Sequence, residues 1–248
     1  TARFADITID KTVFVKAGTQ AKVCFDPVRL QNPALWMPNG YGEPNLYDLS
    51  IVATLGGNKS DESKTSFGIR ELSYELTVDA EQHQDLRICY DPTALRGEGN
   101  VFNNRMLRSS ECGVTIPSLI NDAVLDKVEK ISADEMAPYL VIRCNGVRIY
   151  CKGGNWGMDD LMKRVSRERL EPYFLLHKEA GFTMIRNWTG ESTEELFYQL
   201  ADEYGLLVWN DFWMSTEGYN LDPLDEDLFM SNAVDVVRRF RNHPSIAI

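Results

Sequence analysis

The 248-residue sequence has no long apolar run and no excess of positive charge. A membrane-spanning helix needs about 18 consecutive apolar residues, which no stretch approaches, and the N-terminal residues do not resemble a signal peptide. The net charge of −11 argues against nucleic acid or a membrane as a partner, because either would require a basic face. The composition, 44% apolar, indicates a soluble globular protein. The compartment stays open; a periplasmic or secreted location is compatible with a bacterial source.

Motifs for metals, phosphates and common nucleophiles are also absent. The five cysteines form no C-x-x-C pair and the three histidines are far apart, so we expect neither a zinc site nor a disulfide framework. The glycine patterns G-x-G-x-x-G and G-x-x-x-x-G-K-S/T do not occur, and neither does G-x-S-x-G or H-E-x-x-H. We therefore expect no cofactor and no metal.

The first 78 residues have the pattern of an antiparallel β domain. Four β-rich runs, separated by glycines and a proline, lie at 5–18, 21–30, 46–58 and 64–78. This pattern predicts an antiparallel β-sandwich. Because a complete immunoglobulin-like domain has more strands, we expect residues 1–78 to be truncated at the N-terminus. Residues 79–137 show no clear periodicity and are predicted as an insertion or linker, with a short helix at 118–130.

From residue 138 onward, strands and helices alternate. Asn145-Gly146 predicts a two-residue hairpin turn, and the second of three predicted helices begins with a capping box at Ser192 and Glu195. The alternation predicts parallel strands with right-handed crossovers, in a doubly wound sheet or a (β/α)8 TIM barrel. Polar and aromatic residues follow three successive strands, which favours the barrel. We expect residues 138–248 to be its first part, truncated at strand four.

Tryptophans at the predicted strand ends favour a carbohydrate as the ligand. Sugars present hydroxyl groups and apolar C–H faces, which carboxylates, amides and indole rings bind. Trp156, Trp188 and Trp213 are flanked by polar residues, whereas Trp209 lies inside an apolar strand and is interpreted as barrel core or helix–sheet packing. The same packing roles are the alternative for the first three.

Six motifs together resemble glycoside hydrolase family 2, most closely its β-mannosidase-like branch. They are NPALWMPNGYGEPNLYDL (32–49), SFGIR (66–70), NGVRIYCKGGNW (145–156), MIRNW (184–188), YGLLVWNDF (204–212) and RNHPSIAI (241–248). The motifs come in the family's order and cover most of the chain outside 79–137. The resemblance implies an immunoglobulin-like sandwich followed by a (β/α)8 catalytic barrel, in a retaining exo-β-glycosidase.

The resemblance also implies a set of substrate-binding residues. The family pattern N-W-x-x-x-D falls on Asn155, Trp156 and Asp160, and Asp160 would hydrogen bond to hydroxyls of the terminal sugar. Arg186 matches the arginine that orients the nucleophilic carboxylate. The other residues implied to line the pocket are Asn187, Trp188, Asp211 and Trp213.

Two departures from the family pattern concern specificity and catalysis. Gly157-Met158 follows the Asn-Trp pair where β-mannosidases have Ile-Pro, and NWTG ends the second predicted strand where they have NWGG. β-Galactosidase, β-glucuronidase and exo-β-glucosaminidase activities therefore stay open beside β-mannosidase activity. The family's acid/base and nucleophile glutamates are expected beyond Ile248, so we predict that the chain alone is inactive.

The expected partner is a β-linked oligosaccharide or glycoside. An incomplete barrel exposes a sheet edge, so self-association through that edge is also expected. The alternative from another class is a non-catalytic carbohydrate-binding or interaction module that uses the same barrel face. A W-x-x-x-N-E motif following residue 248 would distinguish the enzyme from the binding module.

Overall fold

The computed structural model describes residues 1–132, 139–157, 162–214 and 222–248, and the fold begins with an antiparallel sheet. Strands β1 (Ala2–Phe4), β2 (Ile7–Ile9), β3 (Tyr47–Leu55) and β4 (Asn58–Phe67) form this sheet in the order β2-β1-β3-β4. Gly56 and Gly57 connect β3 to β4 with φ angles of 58° and 84°, which glycine adopts without steric cost.

The predicted strand at residues 21–30 is wrong. Residues 10–35 contain no strand, and the side chains of Val23 and Val28 are exposed. A β-rich run becomes a strand only where a neighbouring strand accepts its hydrogen bonds, and no described strand pairs with this run. Residues 1–69 contribute a single sheet, so the two-sheet immunoglobulin-like sandwich stays a prediction.

Residues Arg70–Lys152 form a compact unit with two antiparallel sheets. The larger sheet has the order β11-β10-β5-β6-β9, and β7 pairs with β8. The core of the unit contains Val78, Ile88 and Leu119. Its strands are β5 (Leu72–Val78), β6 (Leu86–Tyr90), β7 (Phe102–Ser109), β8 (Thr115–Leu119), β9 (Glu129–Lys130), β10 (Leu140–Cys144) and β11 (Val147–Ile149).

In this unit the predicted hairpin turn is confirmed and the predicted helix is wrong. Asn145 and Gly146 form the predicted hairpin turn, with φ angles of 50° and 78°, and place Cys144 opposite Val147. The helix expected at 118–130 is only a 3-10 turn at Asp122–Asp126, capped by the side chain of Asn121. Residues 118 and 119 belong to β8 instead, and they pair with residues 103 and 102 of β7.

Three parallel strands and three helices follow in alternation, as predicted. Strands β12 (Gly153–Trp156), β13 (Met184–Asn187) and β14 (Leu207–Asn210) lie side by side in chain order. The helices are α1 (Arg167–Glu179), α2 (Glu195–Tyr204) and α3 (Glu226–Phe240). Ile246 forms a parallel bridge with Val208 of β14, where the fourth strand is expected. Closure of these elements into a (β/α)8 barrel stays a prediction.

Local capping residues define the ends of α2 and α3. Gly205 ends α2 with a φ angle of 69°, and the side chain of Asp225 accepts a hydrogen bond from the amide of Leu228 at the start of α3. The predicted capping box of α2 is wrong, because its N-cap is Glu194. The backbone of Ser192 is bound to the side chain of Asn187 instead.

The helices cover one face of the parallel sheet with a continuous apolar core. Ile185 and Val208 point into this core from the sheet, and Phe174 and Phe197 reach it from α1 and α2. Amphipathic helices bury such a stripe against a sheet, which is the main stabilising term of an α/β layer. The remaining buried members are Leu170, Tyr198, Leu200, Ala201, Leu206 and Phe240.

A segment before β3 is joined to this α/β layer by hydrogen bonds. The fully buried Trp36 donates from its indole nitrogen to the carbonyl oxygen of Asp202 in α2, at 2.8 Å. The amide of Asn39 donates to the carbonyl of Gly205 at 2.7 Å, and the Asn39 side chain donates to Lys178 and Phe182 carbonyls. The LWMPNG motif therefore ties the ends of α1 and α2 together.

The compact units differ from the predicted domain ranges. One unit is Thr1–Ile69 with Gly153–Ile248, and the other is Arg70–Lys152. The difference arises because β10, which falls in the predicted barrel range, pairs with β5 of the predicted sandwich range. The predicted insertion at 79–137 contributes β6 to β9 to the same unit. The assignment of 1–78, 79–137 and 138–248 to three domains stays a prediction.

His243 connects two carboxylates beneath the helices. Its Nδ1 lies 2.6 Å from Asp202 Oδ2 and its Nε2 lies 3.0 Å from Glu195 Oε1. Burial opposes the charged imidazole, but the hydrogen bonds and charges of the two carboxylates outweigh it and raise the pKa of His243. A raised folded-state pKa stabilises the fold fully below the unfolded-state value of about 6.5, and this contribution is lost as pH rises through the folded-state pKa.

We expect His243→Gln to lower the free energy of unfolding by about 1–3 kcal/mol in mildly acidic solution, because a charge-assisted hydrogen-bonded pair is lost. The loss should shrink as pH rises through the folded-state pKa of His243. Urea unfolding at several pH values through the folded-state pKa of His243 measures the loss and its pH dependence. His83→Gln is the control, because His83 is exposed. Parallel pH profiles for wild type and His243→Gln would contradict the assignment.

Candidate substrate-binding site

The parallel sheet places two predicted substrate-binding residues and a tryptophan side by side on neighbouring strands. Asn155 of β12 is in register with Arg186 of β13, which is in register with Trp209 of β14. Their neighbours in the strands, among them Trp156 and Ile185, pack with the helix-covered core. Because side chains alternate between the faces of a strand, the row lies on the face away from the helices.

Asp211, just after β14, holds the Arg186 guanidinium. Arg186 Nε lies 2.9 Å and Nη2 lies 2.8 Å from Asp211 Oδ2. The same carboxylate accepts a hydrogen bond from the amide of Thr189 at 3.1 Å. The Arg186 guanidinium carbon also lies 5.5 Å from the centre of the Trp209 ring, within range of a cation–π contact. An ion pair on one side and an indole on the other fix the direction of the guanidinium.

Trp209 is exposed on the uncovered face of the sheet, so it takes no part in helix–sheet packing, and a place in the core of a barrel stays a prediction. The side chain is 40% exposed and belongs to the row of Asn155 and Arg186, whereas its neighbour Val208 is fully buried in the core. An amide, a guanidinium and an indole face on one surface are the groups that bind sugar hydroxyls and C–H faces. Counting alternation along the strand from the buried Val208 would have predicted this exposure.

Asn187 lies on the opposite face and is fully buried. Its Nδ2 donates to the Ser192 carbonyl and to Asn210 Oδ1, both at 2.8 Å, and its Oδ1 accepts from the Ser192 amide at 3.0 Å. Tyr198 donates to Asn210 Oδ1 at 2.7 Å. These bonds shape the loop between β13 and α2. A direct contact between Asn187 and substrate stays a prediction.

The three predicted tryptophans make no ring contact with one another among the described residues. Trp156 packs among the rings of α1 and α2, with its centroid 4.9 Å from that of Phe174 and 5.4 Å from that of Phe197. Trp188 is half-buried in a 3-10 turn after β13, and Trp213 lies edge to face against Phe229 of α3. Roles for these three in substrate binding stay predictions. Asp160 lies outside the described residues, as does its neighbour Asp159.

Gly190 allows the loop after β13 to approach Asp211. It is buried with a φ angle of 66°, and a Cβ atom there would lie 2.6 Å from the Asp211 carbonyl oxygen and 3.3 Å from the Trp213 ring. Thr189 next to it also has a positive φ angle, 53°. The close approach brings the Thr189 amide to the Asp211 carboxylate, so the position of Asp211 depends on this glycine.

Neither metal ligands nor a membrane segment were found in the described part of the chain. Its His, Cys, Asp and Glu residues form no group of three or more that could hold a metal ion. Among the same residues, no helix has both the length and the apolar character to cross a bilayer.

Comparison with known proteins identifies relatives over most of the chain. Residues 3–70 match the family model "Glycosyl hydrolases family 2". The chain is 30% identical over 230 residues to beta-mannosidase B of Aspergillus terreus, which covers 92% of this chain and 20% of that protein. The predicted resemblance to glycoside hydrolase family 2 is confirmed. The chain is also 28% identical over 232 residues to a mannosylglycoprotein endo-beta-mannosidase of Lilium longiflorum, covering 90% of this chain and 18% of the relative.

A solved structure supports the same family 2 assignment. The β-D-mannosidase of Dictyoglomus thermophilum matches with a TM-score of 0.55 and 28% identity, over 88% of this chain and 20% of that one. The chain thus spans about a fifth of the length of the relatives it matches.

We expect Gly190→Ala to destabilise the fold by at least about 2 kcal/mol, because the new Cβ adds steric overlap to backbone strain. Gly18→Ala is the matched control, since Gly18 has a φ angle of 74° but no atom lies within 4 Å of the position that its Cβ would take. Urea unfolding of both variants separates crowding from backbone strain. Equal destabilisation by the two substitutions would show that Gly190 is not needed for the approach to Asp211.

Proposed function

We propose that the protein is a retaining β-glycosidase of the β-mannosidase type. In this proposal residues 1–78 belong to an immunoglobulin-like sandwich and residues 138–248 begin a (β/α)8 barrel. The row formed by Asn155, Arg186 and Trp209 would face the barrel interior. The substrate would be a β-linked glycoside with a terminal mannose.

The proposal rests mainly on Arg186, whose guanidinium is fixed by Asp211 on the face of the parallel sheet that no helix covers. Arg186 lies near the carboxyl end of β13, is paired with Asp211 at 2.8 Å, and sits beside an exposed indole. Parallel barrels place their catalytic groups at the carboxyl ends of their strands. In the family, the matching arginine orients the nucleophile, so a fixed guanidinium at this position supports a glycosidase over a passive scaffold.

The proposed chemistry uses two glutamates that the family places after the RNHPSIAI motif. One would protonate the leaving oxygen, and the other, about 5–5.5 Å away, would attack the anomeric carbon and form a glycosyl-enzyme. Arg186 would hold the attacking carboxylate in its ionised form and in line with that carbon. Asp211 would act through Arg186, because its Oδ2 is already shared between Arg186 and the Thr189 amide.

Two alternatives within the family differ in the substrate. The lily relative is named an endo-acting enzyme on mannosylglycoproteins, so an internal β-mannosyl linkage is the first alternative to a terminal one. The second alternative is a terminal sugar other than mannose, because Gly157-Met158 and NWTG depart from the β-mannosidase pattern. A panel of aryl β-glycosides and a mannosylated glycopeptide, tested on the full-length protein, separates these substrates.

We expect Asp160→Ala in the full-length protein to lower kcat/KM by about 30-fold to 1000-fold, roughly 2–4 kcal/mol, because a hydrogen bond to a sugar hydroxyl is lost in the transition state. Asp159→Ala is the matched control, since Asp159 is adjacent but outside the N-W-x-x-x-D spacing. Steady-state kinetics on an aryl β-mannoside measure both. A loss below about tenfold for Asp160→Ala, ~1.4 kcal/mol, would assign it a structural role.

We expect the 248-residue chain alone to show no hydrolysis of aryl β-mannosides while still folding, since the proposed glutamates are not among its residues. Circular dichroism confirms folding and a fluorogenic mannoside measures activity. Turnover above the buffer rate would contradict this part of the proposal. Sedimentation of the same sample measures the expected self-association through the edge of the parallel sheet.

A further inference from the structure

Thr189 adopts a backbone conformation that β-branched residues normally avoid. It lies in the 3-10 turn Trp188–Gly190 after β13, with a φ angle of 53° and a ψ angle of 13°. This left-handed conformation brings Cβ close to a carbonyl oxygen, and two branches on Cβ add to the cost. The other non-glycine residues with a positive φ angle in the described part of the chain are Ala5, Asn32, Asp85, Asn145 and Lys163, and none of them is β-branched.

The contacts of Thr189 do not explain why a threonine occupies this position. Its backbone amide donates to Asp211 Oδ2 at 3.1 Å, and the amide of a glycine would make the same bond. The half-buried side chain has a hydroxyl group that makes no hydrogen bond with any described residue. Glycine would adopt the left-handed conformation without steric cost. The fold alone therefore favours glycine at position 189.

The β-mannosidase pattern has glycine at this position. Its NWGG motif corresponds to residues 187–190, where this chain has NWTG. The second glycine is kept at Gly190, where a Cβ atom would lie 2.6 Å from the Asp211 carbonyl oxygen. Only the first glycine is replaced, and the replacement introduces strain. Strain of this kind is concentrated at functional sites, where a side chain is needed in spite of its cost.

Thr189 lies next to the arginine of the candidate site. Asp211 Oδ2, which accepts the hydrogen bond from the Thr189 amide, also lies 2.8 Å from Arg186 Nη2. The amide of Thr189 and the guanidinium are therefore neighbours on one carboxylate oxygen. The Arg186 side chain is 39% exposed, on the face of the sheet that no helix covers. A ligand that reaches this guanidinium lies beside residue 189.

We propose that Thr189 determines which sugar the site accepts, because its hydroxyl group hydrogen bonds to one hydroxyl group of that sugar. This inference rests on the proposed glycosidase function. A threonine hydroxyl both donates and accepts hydrogen bonds, as a sugar hydroxyl does. A site that binds a substrate hydroxyl in this way discriminates strongly against a sugar that lacks it, and the adjacent methyl group adds a weaker steric selection.

Thr189→Val in the full-length protein tests the hydrogen bond, because valine keeps the β-branched shape and removes the hydroxyl group. The substrate is the para-nitrophenyl β-glycoside that wild type hydrolyses fastest. We expect kcat/KM to fall by about tenfold to 100-fold, because the sugar hydroxyl is left without its partner. For one monodeoxy analogue of this glycoside, wild type and Thr189→Val should agree within about twofold, because that analogue lacks the hydroxyl that Thr189 binds.

Two further variants serve as controls. Thr189→Ser keeps the hydroxyl group and should retain the difference between the glycoside and that monodeoxy analogue. Thr193→Val changes an exposed threonine of the same loop and should leave kcat/KM unchanged for the glycoside and for every analogue.

The outcomes separate this inference from the proposed function. If wild type hydrolyses the glycoside but Thr189→Val keeps the wild-type kcat/KM, or loses the same factor on every analogue, the inference is wrong and the glycosidase proposal stands. If wild type hydrolyses no aryl β-glycoside, both fail. Thermal unfolding of the 248-residue chain adds a test that needs no activity. Thr189→Gly should have a Tm at least as high as that of wild type, and a lower Tm would overturn the inference by assigning Thr189 to stability.

Discussion

Asp202 joins α2 to two distant parts of the chain, through its buried carboxylate and through its backbone carbonyl. It is 2% exposed, with Oδ2 bound to His243 Nδ1 at 2.6 Å and Oδ1 bound to the Ser245 amide at 3.0 Å. Its carbonyl oxygen accepts the indole N–H of Trp36. A charge this deeply buried is tolerated only when its hydrogen bonds are made. The partners of Asp202 therefore specify where both the LWMPNG segment and residues 243–246 must lie.

The candidate site depends on that arrangement through β14. Ser245 accepts a hydrogen bond from the Val208 amide at 2.8 Å, so the segment fixed by Asp202 supports the outer edge of β14. Trp209 lies within that strand and Asp211 follows it directly, and the Asp211 carboxylate holds the Arg186 guanidinium. A buried ion-pair network on the helix side thus determines the geometry of a guanidinium on the opposite face.

The parts predicted correctly from the sequence are those governed by local signals. The Asn145-Gly146 turn depends only on its own two residues and their immediate neighbours. The alternation of parallel strands and helices follows from the periodicity of apolar residues.

The parts that were missed depend on contacts between residues far apart in sequence. The pairing of β5 with β10 brings together residues about 70 positions apart, and β9 has two residues, too few to leave a pattern. Ser192 matches a capping signal, but its backbone bonds to Asn187 take precedence. The exposure of Trp209 follows from strand register and not from the apolar character of its neighbours.

The discontinuous unit, Thr1–Ile69 with Gly153–Ile248, has a consequence for folding during synthesis. Trp36 and Asp202 are 166 residues apart in the chain, so the first 69 residues leave the ribosome well before their partners exist. At about 5–20 residues per second, that interval is on the order of ten seconds or more. Residues Arg70–Lys152 are continuous and can fold within it. Residues 70–152 should therefore fold during synthesis before Trp36 of the preceding segment is buried against α2.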